Sequence, residues 1–166
     1  MSILKFGILT ISDRSYRRER PDASGPALEE IIIANRWEVT RKFILPDDQQ
    51  AIQNKLSDWT DNTEVDVILT TGGTGFGSRD VTPEATLAVV TRLAPGLVEA
   101  MRSASLAITH HAMLSRAVAG IRNKTLIVNL PGSPTASVEN LKVIVSVLEH
   151  AVQLLQDDPA GESSHK

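Results

Sequence analysis

Apolar runs of strand length alternate along the chain with longer stretches in which apolar residues recur every three or four positions. This alternation predicts an α/β fold with a mainly parallel central sheet, since parallel strands need helical crossovers between them. The run Lys5 to Ile11 has little polar alternation and reads as a strand buried on both faces. Further strands are expected over Trp37 to Leu45, Val65 to Thr70 and Thr125 to Asn129. Helix starts fall between them. Ser24-Gly25-Pro26 offers an N-cap and an early proline, followed by Leu28, Ile31 and Ile32 on one face. Pro46-Asp47-Asp48 opens a helix carrying Ile52, Leu56 and Trp59. Thr82-Pro83-Glu84 opens another, with Leu87 and Val90 as its apolar positions. Leu97, Met101, Ala104 and Ile108 keep a helical period, and Ser133-Pro134 leads into a long stripe from Val138 through Leu141, Val145, Leu148 and Val152 to Leu155. No internal repeat or linker interrupts the pattern. One domain over residues 1–156 is expected, with residues 157–166 as a frayed, flexible polar tail.

Composition narrows the chemistry. A 166-residue domain buries roughly two-thirds of its unfolded surface and needs no staples. The absence of cysteine excludes disulfide frameworks, zinc knuckles, iron–sulfur sites and thiol catalysis. Seventeen Lys+Arg against 20 Asp+Glu give a net charge of −3, without the clustered cations on which non-specific nucleic-acid binding rests. Aromatics at 4% offer no base-stacking platform. No apolar stretch approaches the ~18 residues of a membrane span, and no signal peptide is visible. These features predict a soluble cytoplasmic protein without nucleic-acid or membrane partners.

The unusual residues gather where strands end. The expected strands run into Thr10-Ile11-Ser12-Asp13-Arg14, into Leu45-Pro46-Asp47-Asp48, into Thr70-Thr71-Gly72-Gly73-Thr74-Gly75-Phe76-Gly77-Ser78-Arg79-Asp80, and into Asn129-Leu130-Pro131-Gly132-Ser133-Pro134. In an open parallel sheet the carboxyl ends share one edge, and ligands bind in the crevice there. The four segments are therefore expected to converge. Glycines in the third segment permit close approach of a ligand to the main chain. Successive N–H groups there form an anion nest, and the hydroxyls of Thr71, Thr74 and Ser78 add donors. Phosphate is the natural guest, although a plain sharp turn would use the same residues.

That loop matches neither common nucleotide motif. Gly72 and Gly77 have P-loop spacing, but Ser78-Arg79 stands where Lys-Ser/Thr is required. Gly73 and Gly75 begin a dinucleotide fingerprint whose third glycine is replaced by Ser78. Asp47 and Asp80 each follow a strand end and precede a helix start. Two acids facing a phosphate nest suit Mg²⁺-assisted phosphoryl or nucleotidyl transfer, and each would equally serve as a helix cap. Asp13 and Arg14 fit either ligand orientation or an ordinary salt bridge. The run Arg17-Arg18-Glu19-Arg20 reads as a solvated loop that could greet an anion. His110-His111 reads as dipole compensation at a helix end, and Ser115 has no histidine–acid arrangement near it in sequence.

The ordered set Thr10–Arg14, Pro46-Asp47, Thr70–Gly75, Arg79-Asp80-Val81-Thr82-Pro83, Leu114-Ser115-Arg116 and Asn129–Ser133 resembles the molybdopterin adenylyltransferase family. That family includes the MogA and MoaB proteins and the G domain of gephyrin. The likeness covers Phe6 to about Leu155, and the Arg79–Pro83 segment looks more like the catalytically active MogA branch than the divergent MoaB versions. The chain lacks an insertion near the last helix found in some MogA proteins.

The resemblance implies a three-layer α/β/α domain, a mixed sheet with a strand the parallel pattern would miss, and a homotrimer, with hexamers among some relatives. It implies a reaction in which Mg²⁺, ATP and molybdopterin give adenylylated molybdopterin and pyrophosphate, ahead of molybdate insertion by a downstream protein. A non-catalytic molybdopterin- or nucleotide-binding scaffold is the alternative on the same fold. Carried over by motif, Asp47 and Asp80 match the two essential acidic positions and would hold the Mg²⁺. Gly72, Gly73, Thr74 and Gly75, with Thr71 before them, match the phosphate- and pterin-contacting loop. Ser12 belongs to the first-strand motif and Ser115 to a segment associated with bound product. Asn129, Pro131, Gly132 and Ser133 match the nucleotide-side loop.

Overall fold

A computed structural model describes residues 3–62 and 64–157. The expected tail lies almost wholly outside these residues. The elements, in chain order, are β1 (Lys5–Ile11), α1 (Asp13–Tyr16), α2 (Ser24–Ala34), β2 (Glu38–Leu45), α3 (Gln49–Asn62), β3 (Val67–Thr71), α4 (Thr82–Val89), β4 (Arg92–Leu93), α5 (Pro95–Leu106), a 3₁₀ turn (His110–Leu114), β5 (Ala119–Arg122), β6 (Thr125–Leu130) and α6 (Pro134–Leu155).

The six strands form one sheet in the order β2-β1-β3-β6-β5-β4. The four strands expected from the sequence are parallel to one another, so their carboxyl ends do share an edge. Two short strands, β5 and β4, extend the sheet antiparallel beyond β6. Their lengths, four residues and two, are too short for periodicity to register, and Gly120 interrupts the longer one. The mixed sheet implied by the resemblance is the one observed.

Alternation along buried strands divides the core between the two faces. Phe6, Ile8, Val67, Leu69, Leu126 and Val128 meet Leu28 and Ile32 of α2, Val98 and Met101 of α5, and Leu141, Ile144 and Leu148 of α6. Leu9, Ile11, Ile68 and Ile127 meet Ile52, Leu56 and Trp59 of α3 and Ala85 and Val89 of α4. The result is three layers. Trp37 lies just before β2 and stacks on Phe6 with ring centroids 5.2 Å apart.

Four local expectations change. Ser24 is the first helical residue of α2 rather than its cap, and its hydroxyl donates to the Gly132 carbonyl at 2.7 Å. In α4 the inward face is Ala85, Thr86 and Val89, while Leu87 is 50% exposed. In α5 the buried pair is Val98 and Met101, and Ile108, beyond the helix end, is 66% exposed. The long stripe of α6 is shifted to include Ser137, Asn140 and Ile144 among its buried positions. In α4 and α6 the inward face carries polar residues that hydrogen-bond beneath the site, which an apolar count cannot anticipate.

Candidate active site

The backbone at the strand ends explains how the loops meet. Gly72 has φ +104° and Gly73 +66°, dihedrals that favour glycine. A side chain at Gly72 would also place its Cβ 2.2 Å from the Ile11 carbonyl. The chain therefore turns sharply after β3, close against the end of β1. The base of this turn is fixed from α4, where the buried Thr82 hydroxyl donates to the Gly72 carbonyl at 2.9 Å. Gly132 approaches from the β6 side, since a Cβ there would stand 3.3 Å from Gly72 Cα.

These turns border a cavity of about 600 Å³ lined by Ser12, Asp13, Arg14, Asp22, Asp47, Thr71, Gly72, Gly73, Asp80, Gly132 and Ser133, among others. The ends of all four parallel strands thus contribute to one hollow, with Asp47 and Asp80 both on its wall. Asp13 and Asp22 share that wall with Arg14, Arg17 and Arg20. The Asp47 carboxyl is pushed above the usual aspartate range, chiefly by burial, with the charges of Asp13 and Asp80 adding to the shift. Asp13 moves the opposite way, because the Arg79 guanidinium donates to its two oxygens at 3.0 Å each. Asp13 and Arg79 thus form an ion pair, and Asp13 lines the cavity as well.

Asp80 is held in a local turn. Its Oδ2 accepts the Gly77 N–H at 2.9 Å, and its own N–H donates to the Gly77 carbonyl at 2.9 Å. A side chain on either flank would press on that carboxylate, since a Cβ at Gly75 or Gly77 would lie 3.0 or 2.9 Å from Asp80 Oδ2. Among the described residues no group of three or more His, Cys, Asp or Glu side chains is arranged to hold a metal. A divalent cation at Asp47 and Asp80 would take its remaining ligands from substrate and water. That matches Mg²⁺, which uses one or two carboxylates plus phosphates, and the mutual repulsion of the two acids favours a cation there.

The remaining site residues expected from the sequence do not all face this hollow. Thr74, Gly75, Ser115 and Pro131 line a second cavity of about 270 Å³, with Val98, Met101 and Leu114. The glycine loop and the Pro131–Ser133 turn form the wall between the two. Asn129 reaches neither. It is fully buried, donating to the Thr70 and Thr86 hydroxyls at 2.9 and 2.8 Å and accepting the Val118 N–H at 3.1 Å. Ser12 and Ser133 face the first cavity while capping α1 and α6. Thr71 also lines it, and its hydroxyl donates to the Pro131 carbonyl at 2.7 Å.

Three contributors escape the sequence pattern: Thr82, which props the turn; Asp22, which accepts the Thr10 hydroxyl at 2.8 Å; and Ser24. A threonine before a proline reads as a helix start, and nothing in the sequence marks its hydroxyl as turned to the loop.

Comparison with known proteins gives these loops a family. Residues 7–150 match the model described as "Probable molybdopterin binding domain". The chain is 44% identical over 161 residues to the molybdenum cofactor synthesis protein cinnamon of Drosophila melanogaster, covering 95% of this chain but 26% of cinnamon's length. It is 39% identical over 158 residues to a molybdopterin adenylyltransferase of Helicobacter pylori, covering 93% of this chain and 89% of that protein. The crystal structure of the molybdopterin biosynthesis enzyme MoaB of Thermus thermophilus superposes with a TM-score of 0.89 at 44% identity, over 95% of this chain and 99% of the other. With the fold, the strand-end loops and most of the chain's length in agreement, this protein belongs to the molybdopterin-binding domain family of molybdenum cofactor biosynthesis.

Proposed function

We propose that the protein is a molybdopterin adenylyltransferase, transferring AMP from ATP to molybdopterin in molybdenum cofactor biosynthesis and releasing pyrophosphate. The observation that carries this reading is the convergence of Asp47 and Asp80 with a glycine turn on one cavity. Two cavities sharing that turn as a wall suit a reaction that joins two substrates.

The terminal phosphate oxygen of molybdopterin attacks the α-phosphorus of ATP. The bond from that phosphorus to the bridging oxygen breaks, and pyrophosphate leaves with the electron pair. The nucleophile is already an anion, so no strong base is needed. The turn at Gly72 and Gly73 lines the cavity, so phosphate oxygens bound there would meet its main chain. Asp80, fixed by the Gly77 N–H, and Asp47, fixed by the Asp13 N–H, are the groups that would hold Mg²⁺. When bound, that ion neutralises charge developing on the phosphate oxygens.

The same reading makes the protein a cytoplasmic homotrimer that passes its product to a molybdate-insertion protein. Exposed apolar side chains after and at the end of α5, among them Ile108, Met113 and Leu114, supply surface of the kind that subunit contacts use. Among the described residues no helix is long and apolar enough to cross a membrane.

The test is incubation with Mg-ATP and molybdopterin, with pyrophosphate and adenylylated pterin as readouts. Both are expected. Binding of either substrate with no pyrophosphate formed would replace catalysis with a binding or scaffold role.

A further inference from the structure

The Arg116 side chain reaches neither hollow, yet three segments converge on it. Its Nε–H donates to the Gly75 carbonyl at 2.7 Å, its Nη2 to the Asp80 carbonyl at 2.8 Å, and its Nη1 to a carboxylate oxygen of Glu84 in α4. Its backbone N–H adds a bond to the Thr74 carbonyl at 2.8 Å. Between Gly75 and Asp80 the loop is otherwise thinly tied. Phe76 through Arg79 are exposed, the turn's internal bonds join only Gly77 and Asp80, and the outward bond is Arg79 to Asp13. Arg116 therefore grips the loop at both ends of the segment that presents the Asp80 carboxylate, and Glu84 fixes the guanidinium to a helix.

From this we infer that Arg116 is a positioning residue for Asp80. It works through main-chain carbonyls, never on a reacting atom. The inference rests on the adenylyl-transfer reading for its catalytic consequence, while the clasp itself rests on geometry alone. A planar guanidinium with donors in a fixed fork can serve three acceptors in different directions. An ammonium on a flexible stem cannot hold that arrangement. With Nε, Nη1 and Nη2 all bonded to protein acceptors and the side chain outside both hollows, Arg116 anchors the loop rather than lining the site. The restraint matters because displacement of a catalytic group by about 1 Å can cost about 100-fold in rate.

Three variants test this: Arg116→Gln, Arg116→Lys and Glu84→Gln. Each is compared with wild type by steady-state kinetics and by hydrogen exchange of the segment 72–82. Arg116→Gln is expected to lower kcat by about 100-fold with KM for both substrates unchanged, the pattern of a group needed in the transition state alone. Exchange should quicken in 72–82 and stay at the wild-type rate in the central strands. Arg116→Lys should recover only part of kcat, and Glu84→Gln, which leaves both carbonyl bonds in place, should lose less than either. Wild-type kcat in Arg116→Gln, or unaltered exchange of its loop, overturns the proposal. If Arg116→Gln fails to fold, full activity in Arg116→Lys overturns it and partial activity with a loosened loop supports it. Should wild type form no adenylylated pterin, the functional reading fails and loop exchange alone decides the clasp.

Discussion

The backbone N–H of Asp13 donates to Asp47 Oδ2 at 3.0 Å, and the N–H of Asp47 returns to Asp13 Oδ1 at 3.0 Å. This reciprocal pair joins the turn after β1 to the turn after β2 and sets two carboxylates side by side. Their proton affinities nevertheless diverge. Arg79 holds Asp13 below its ordinary range, whereas burial, with the charges of Asp13 and Asp80, pushes Asp47 above it.

Replacing Asp47 should therefore separate stability from function. A folded-state pKa above the unfolded value means the native protein holds the Asp47 proton longer. Ionisation thus subtracts stability as pH rises from the ordinary value of 3.8 through the raised one. In metal-free buffer Asp47→Asn, which can still accept the Asp13 N–H, is expected to melt higher than wild type at pH 7 and equally near pH 3. Turnover should fall by about 100-fold or more. Thermal melts across pH decide the first half, and a variant that melts below wild type at pH 7 contradicts it.

The Asp13–Arg79 pair carries the opposite sign. Asp13 has a lowered folded-state pKa, so its stabilisation is present above the ordinary value of 3.8 and lost as pH falls through the lowered one. Arg79→Gln should melt below wild type at pH 7, with the gap closing in acid. The gap should be small, because Arg79 is largely exposed. A constant offset at every pH would mean that the side chain contributes by packing rather than by charge.

What a side chain at Gly77 would crowd is Asp80 rather than the fold. A Cβ at Gly77 would stand 2.9 Å from Asp80 Oδ2, while one at Gly96 would meet nothing within 4 Å. Gly77→Ala should lower turnover by about 100-fold with a nearly wild-type melt. Gly96→Ala serves as the control, gaining about 0.4–1 kcal/mol with full activity. Equal turnover in the two variants would show that Asp80 tolerates displacement.

Asn129 is expected to be a stability residue. Asn129→Leu strands the Val118 N–H and leaves the buried Thr70 and Thr86 hydroxyls without their shared donor. Denaturant unfolding should show a loss of about 2–4 kcal/mol, with KM for ATP unchanged in the protein that remains folded. A raised KM at undiminished stability would instead return Asn129 to the nucleotide side.

The legibility of the sequence follows length and locality. β1, β3 and β6 are apolar runs of five to seven residues, and such runs announce themselves. β4 and β5 together hold six residues and leave no periodic trace. Asp47 and Asp80 stand out because polar residues at the carboxyl ends of parallel strands share an edge by topology. Thr82 and Arg116 lie in the motifs that carry the resemblance, but their roles do not show, because their work is done on carbonyls 10 to 41 residues away.

The amino-acid order alone determined the α/β class, the shared edge of four strand ends and the acids that stand on it. Those consequences follow from local periodicity and from the connection rules of parallel sheets. Packing decided what spacing could not: that the expected crevice is two hollows divided by a glycine turn, that Asn129 lies beneath them, and which arginine holds Asp80 in place. Such relations depend on the directions of side chains brought together from distant segments, and direction is fixed only when the core closes.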